Sequence, residues 1–284
     1  MNNSRGIILM IISMFAFALS DAFVKGSSIH LTAGQITLML GLGGTISFSA
    51  ACLWKGENPL PKSFFNPPVM LRNLGSLIGG TGIIVSITLT TISATISIQQ
   101  LLPILVTMGA ALFLGEQVGW RRWTAIFIGF LSVILIIRPG IDGFNPYAIW
   151  ALVGVIGLSV RDLATKRIKD SVTSLQLSVF GYIVLIPVGV VMTAFQGGWV
   201  TPQPIGFAFM GGILATSMIA YITITASVRS GEISAIIPFR YTRLIFALFL
   251  GVVFFGERPD WQTLVGALGI IISGLFMMLR SKKA

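Results

Sequence analysis

A single cysteine and a single histidine serve this chain of 284 residues. Cys52, alone, can close no disulfide within the chain and can anchor no cysteine metal cluster. His30, alone, leaves no HExxH zinc motif and no Ser-His or Cys-His nucleophile pair. Acid is scarce as well, with nine Asp and Glu against nineteen Lys and Arg. Charged residues of both signs make up only 10% of the chain, where soluble domains carry about 25%. No stretch is polar or long enough to be a soluble domain, and no low-complexity tail exists. The glycine-rich stretches lack the strand, Lys and Ser/Thr context of a P-loop, so no bound ATP is expected. Neither a metal nor a cofactor is expected.

What the chain has is apolar surface: 55% of its residues are hydrophobic and its mean hydropathy is +0.92. That is the composition of a polytopic membrane protein, with the lipid bilayer as its solvent. The formal charge of +10 does not point to nucleic acid, because basic residues of helical membrane proteins gather in cytoplasmic loops, and the loops here are short. Apolar runs between polar breaks give ten spans: 6–24, 34–54, 69–90, 94–114, 120–137, 147–165, 173–195, 205–228, 233–255 and 261–279. Each is near the ~20 residues needed to cross a bilayer core. The first follows Arg5 but has no clear cleavage site and has a repeat mate deep in the chain, so it reads as a mature helix.

The repeat appears when each residue is compared with the one 141 positions later. Asp21, Lys25, Thr32 and Gln35 fall on Asp162, Lys166, Thr173 and Gln176. Gly56 and Pro61 meet Gly197 and Pro202, and Phe113, Gly115, Glu116 and Trp120 meet Phe254, Gly256, Glu257 and Trp261. Apolar coincidences are cheap in such a sequence, but matched Asp, Lys, Gln, Glu, Trp and Pro are not. The chain therefore divides into five-helix halves, 1–141 and 142–284, forming one integral membrane domain. An odd number of spans per half makes the second half enter from the opposite side. The expected fold is all-α, ten transmembrane helices in two inverted five-helix repeats, an arrangement typical of secondary transporters.

Orientation follows from the basic residues. With the N-terminus inside, Arg5, Lys55, Lys62, Arg72, Arg121, Arg122, Lys166, Arg167, Lys169, Arg229, Arg280, Lys282 and Lys283 are cytoplasmic, and only Lys25, Arg138 and Arg258 are outside. This bias of thirteen to three puts both termini in the cytoplasm.

Ten spans in two halves, each with Gly-Glu after its fourth helix (Gly115-Glu116 and Gly256-Glu257), resemble the EamA-type members of the drug/metabolite transporter superfamily. The resemblance covers essentially the whole chain. It implies a transporter of a bacterial inner (plasma) membrane, with export as the direction. One departure is visible: where a proline matching Pro103 would stand in the ninth helix, this chain has Leu244, and Pro238 lies six residues earlier.

The candidate site residues are the polar ones inside apolar spans. Arg240 and Arg243 lie near mid-membrane, three residues apart on one helical face beside Tyr241. An arginine at that depth costs on the order of 3 kcal/mol unless it faces protein or a wet cavity. They are either tied to carboxylates or held ready for an anion. Under the repeat, Gln99 and Gln100 fall on Arg240 and Tyr241, so an amide face opposes an arginine-tyrosine face. Arg161 and Tyr221 complete the substrate-binding candidates. Asp21 with Lys25, and Asp162 with Lys166, are spaced for helical ion pairs, while the two carboxylates are also the candidates for proton coupling. Glu116 and Glu257 read as structural, each complementing the dipole of a following helix. Gly75, Gly79, Gly41, Gly43 and Gly44 read as helix-packing positions. The function expected is alternating-access transport of a small organic metabolite with an anionic or zwitterionic group, such as an amino acid. A multidrug cation exporter of the small-multidrug-resistance kind would want acid where Arg240 and Arg243 stand, and a membrane enzyme or scaffold is the alternative of another class.

Overall fold

The structure is a computed structural model that describes residues 3–113, 120–137, 145–165, 167–168, 172–230 and 237–281. These residues are helical, with no strand among them. In chain order the helices are α1 (Asn3–Ser27), α2 (Ala33–Trp54), α3 (Pro67–Leu89), α4 (Ile92–Gln99), α5 (Leu102–Phe113), α6 (Trp120–Ile137), α7 (Ile149–Thr165), α8 (Ser174–Ile183), α9 (Leu185–Phe195), α10 (Pro204–Ser230), α11 (Thr242–Phe255) and α12 (Trp261–Ser281). Six segments are long and apolar enough to cross a membrane: α1, α2, α3, α7, α8 with α9, and α10. Shorter helices stand at the four remaining expected positions, 94–114, 120–137, 233–255 and 261–279. Large apolar side chains such as Ile46, Phe127 and Phe249 are exposed on the outside of the bundle, as expected where the solvent is lipid.

Both long-range packing and end-to-end hydrogen bonding follow the repeat. Helix α3 packs on α7 and α1 on α10; α2 packs on α8 and α9, and α6 on α12. Exchanging each helix for its mate 141 residues away turns α3·α7 into α10·α1, so the bundle has a pseudo-two-fold axis. The direction of α2 against its own mate shows how that axis lies. At the start of α2, Gly34 N–H donates to Gln196 Oε1 (2.8 Å) and Gln35 Nε2 donates to Val200 O (2.6 Å). At its other end, Thr173 Oγ1 donates to Glu57 Oε2 (2.6 Å) and Gln176 Nε2 donates to Asn58 O (2.9 Å). The start of α2 thus adjoins the end of α9, and its end adjoins the start of α8. Mates that pack antiparallel are what an inverted repeat requires.

Those same residues explain why the repeat keeps Thr-x-x-Gln. Thr32 with Gln35, and Thr173 with Gln176, each form a capping box that begins α2 and α8. The matched Gly56 and Gly197 both have left-handed backbones, φ 72° and 95°, which an L side chain enters only at a cost.

The fourth span of each half carries irregular backbone at one repeat position. In the first half α4 ends at Gln99 and α5 begins at Leu102; Pro103, which lacks an N–H, follows the break. In the second half a 3₁₀ turn, Ile237–Tyr241, leads into α11. Arg240 and Tyr241 therefore occupy the same kind of irregular turn as Gln99 and Gln100, although the prolines stand at different places. Irregular backbone at membrane depth is tolerated where it is covered by protein or lines a wet cavity.

Candidate functional site

A cavity of about 460 Å³ lies between the halves, within the roughly 300–1,000 Å³ of small-molecule sites. Of the residues expected at a substrate site, Arg240, Arg243, Gln99, Gln100, Arg161 and Tyr221 line it, as do Asp21 and Asp162. Tyr241 is not among the lining residues: it is buried, and its hydroxyl has no hydrogen-bond partner. The cavity reaches the end of the bundle where Thr165 finishes α7 and Ser174 begins α8. At the opposite end, Lys25 Nζ donates to Thr90 O.

Arg243 does not stand free. Its guanidinium forks onto Asp21, with Nε to Oδ2 at 3.1 Å and Nη2 to Oδ1 and Oδ2 at 3.0 and 2.7 Å. Its Cζ also lies 5.0 Å from the centre of the Phe17 ring, a favourable cation–π distance. This corrects the expected Asp21–Lys25 pair. A bidentate guanidinium 222 residues away in sequence outcompetes a flexible lysine one turn on, because two parallel charge-assisted bonds are stronger than a point charge. Asp162 pairs with its neighbour Arg161, whose Nε and Nη2 both lie 2.8 Å from Oδ1. Lys166 lies outside the described residues.

Two arginines remain. Among the described residues neither Arg240 nor Arg72 has a carboxylate within salt-bridge distance. Asp162 attracts both, but its short hydrogen bonds go to Arg161. Arg72, expected at the cytoplasmic start of the span 69–90, lies more than a turn inside α3, 9% exposed and lining the cavity. Removing it from the tally leaves twelve basic residues against three. Its Nε has no hydrogen-bond partner, and its Nη1 reaches only Asn73 Oδ1 at 3.5 Å. Gln99 Oε1 is also buried without a partner, while Gln100 Nε2 turns back to Ile96 O at 3.3 Å. The hydroxyl of Tyr221 donates to Ser174 O at 2.8 Å.

Glu257 is structural, but on a different helix from the one expected. Its Oε1 accepts from Ile92 N–H (2.6 Å), and its Oε2 accepts from Ser93 N–H (3.0 Å) and Ser93 Oγ (2.5 Å). With Thr91 Oγ1 accepting from Ala94 N–H, the first turn of α4 is satisfied jointly by its own N-cap and by a carboxylate from the opposite half of the protein. Helix α12 is capped by Asp260, whose Oδ1 accepts from Thr263 N–H at 2.8 Å. Gly256, left-handed at φ 59°, ends α11 as the Gly-Glu pattern implied. Gly115 and Glu116 lie outside the described residues.

A cavity between two repeat halves, lined by charged groups and irregular helix turns, is an arrangement typical of membrane transporters. The EamA-like transporter family matches the chain twice, over residues 4–138 and 145–280, and the chain belongs to that family. Named relatives include an S-adenosylmethionine uptake transporter of Rickettsia bellii, 24% identical over 99% of this chain and 96% of its own length. A riboflavin transporter of Rhizobium johnstonii is 28% identical over 62% of this chain and 58% of its own. A pseudopaline exporter of Pseudomonas aeruginosa is 21% identical over 98% and 97%. One solved crystal structure, 17% identical, superposes with a TM-score of 0.67 over the whole of both chains and shows the same fold. The protein is therefore a small-molecule transporter and not an enzyme.

Proposed function

We propose that the protein is a secondary transporter that carries a small organic metabolite with an anionic or zwitterionic group, an amino acid being one such molecule, by alternating access. The observation that supports this reading is Arg240: a guanidinium on a 3₁₀ turn, lining a cavity between the halves, with no hydrogen-bonded protein carboxylate among the described residues. Its planar fork suits a carboxylate, and the unpartnered Gln99 Oε1 offers an acceptor for a substrate N–H or O–H. A cation exporter would meet four arginines and two already paired carboxylates in this cavity, which disfavours it. Asp21 and Asp162 remain the groups through which protons could couple to transport. Relatives named for uptake and for export both occur; export is the direction the sequence resemblance implies.

In purified protein reconstituted into sealed vesicles, Arg240→Gln is expected to fold, to melt close to wild type, and to lose at least about tenfold in transport, since a charged hydrogen bond is worth about 1.5–3 kcal/mol. Arg240→Lys should recover only part, because a point charge replaces a fork. Wild-type kinetics in Arg240→Gln would end this assignment.

The same reading places the two halves in a bacterial inner membrane with both termini in the cytoplasm, and the cavity then opens toward the cytoplasm at Thr165 and Ser174. Single cysteines on a Cys52-free background should label from outside in the loops of Asp142 and Asp260, and from inside in the loop of Lys169. Labelling of Asp142 and Lys169 positions from one side would contradict the orientation.

A further inference from the structure

The cavity's charges do not balance, and the imbalance specifies the valence of what it carries. Among the described residues its charged lining is Arg72, Arg161, Arg240 and Arg243 against Asp21 and Asp162, so four positive charges less two negative leave +2. Arg243 is neutralised by Asp21 and Arg161 by Asp162. The surplus is therefore located: it sits on Arg72 and Arg240. Arginine does not shed its proton in proteins, so the surplus cannot titrate away.

The geometry points to a ligand with two anionic groups, one received by Arg240 on the 3₁₀ turn and the other by Arg72 on α3: a dicarboxylate or a phosphate-bearing metabolite. This rests on the reading of the site as an anion-carrying transport cavity and narrows it, since a zwitterion or a monoanion would leave at least one guanidinium uncompensated when water is excluded. Arg72 is built as a receptor and not as a surface cation. It is more than nine-tenths buried, its Nε is unpartnered, and one turn on, Ser76 Oγ is buried without a partner as well. Gly181 on α8 faces this group across the helix contact: a Cβ there would lie in ordinary van der Waals contact with Nη1 (3.4 Å) and with Ser76 Oγ (3.6 Å). A buried charge left unpaired is costly, whereas one that is paired and hydrogen-bonded is tolerated. Water can hydrate both arginines while the cavity is open; a dianion replaces that water on closing.

The test is binding to the purified full chain, read by calorimetry, with matched probes: glutarate against its monoamide, which has the same length and one charge fewer, together with inorganic phosphate and glycine. Wild type is expected to bind glutarate or phosphate at least about tenfold more tightly than glutaramate or glycine, the worth of one added charged contact. Arg72→Gln should remove that preference while leaving glutaramate affinity within about threefold, and Arg240→Gln should weaken every anionic probe. Should Arg72→Gln fail to fold, Arg72→Lys retains the charge and should retain the preference, and the wild-type comparison decides without any variant. Equal binding of glutarate and glutaramate together with equal binding of phosphate and glycine by wild type would overturn the dianion inference while an Arg240-dependent affinity still upheld the transport reading. Preference for glutarate over phosphate, or the reverse, tells the two ligand chemistries apart. Absence of binding by every probe, with Arg240→Gln transporting as wild type, would remove both.

Discussion

Replacing Arg243 with glutamine is expected to destabilise the protein by about 3–5 kcal/mol, and replacing Asp21 with asparagine at the same time to recover most of that loss. The side chains of Asp21 and Arg243 retain only 9% and 16% of their exposure, and they share three short contacts. Removing the cation alone would leave a carboxylate facing Phe17 and apolar helix surface with its strongest partner gone. Removing both charges leaves two amides that can still hydrogen-bond, and so costs far less. The pair also joins α1 of one half to α11 of the other, which makes it a fastening between repeats. Its mates show that this fastening is unique to one side: Asp162 turns to its neighbour Arg161, and the residue matching Arg243 is Leu102. Melting temperatures in detergent for the two single variants and the double variant would decide. A double variant no more stable than Arg243→Gln would mean that Asp21 is not the partner that matters.

Much of this was legible in the sequence because a polar residue in an apolar chain is conspicuous. Arg240, Arg243, Asp21 and Asp162 stand out inside their spans, and all of them line one cavity. The fixed offset of 141 singled out the Thr and Gln that the structure shows capping α2 and its mate and tying those helices end to end. What sequence could not supply is partner choice over long distance. Asp21 and Lys25 have helical pairing distance, and nothing local signals a guanidinium 222 positions away. Glu257 was recognisable as a helix-end residue, but its helix belongs to the other half. Arg72 escapes a sequence reading for a definite reason: its repeat mate is Ile213, so the comparison of halves is silent there, and a basic residue three positions into the span 69–90 reads as a cytoplasmic helix end. The available signal was Pro67 and Pro68 as a helix start, which puts Arg72, Ser76 and Gly79 on one small and polar face of α3.

That face leads to the second large expected effect, because the glycines of α3 decide how close Arg72 comes to Arg161. A Cβ added at Gly157 would lie 2.5 Å from Gly79 N, and one added at Gly75 would lie 2.5 Å from Arg161 N. Both obstacles are backbone, which cannot rotate away as a side chain can. The mate of Gly157 is Ala16, in the corresponding α1·α10 pair; there Ser13 Oγ donates to Ala220 O at 2.7 Å, so that crossing is joined by a hydrogen bond and already accommodates a methyl group. Gly157→Ala is therefore expected to force α3 and α7 apart and to cost about 3 kcal/mol, the upper end of ordinary overpacking, whereas Ala16→Gly should cost about 1 kcal/mol. The separation would also carry Arg161 and Asp162 away from Arg72 and widen the cavity wall that bears them, so affinity for the proposed anionic ligand should fall together with stability. Measuring melting temperature and glutarate affinity on Gly157→Ala and Ala16→Gly tests both halves of the argument. A Gly157→Ala protein that melts and binds like wild type would show that the glycine contact between α3 and α7 does not set the shape of the cavity.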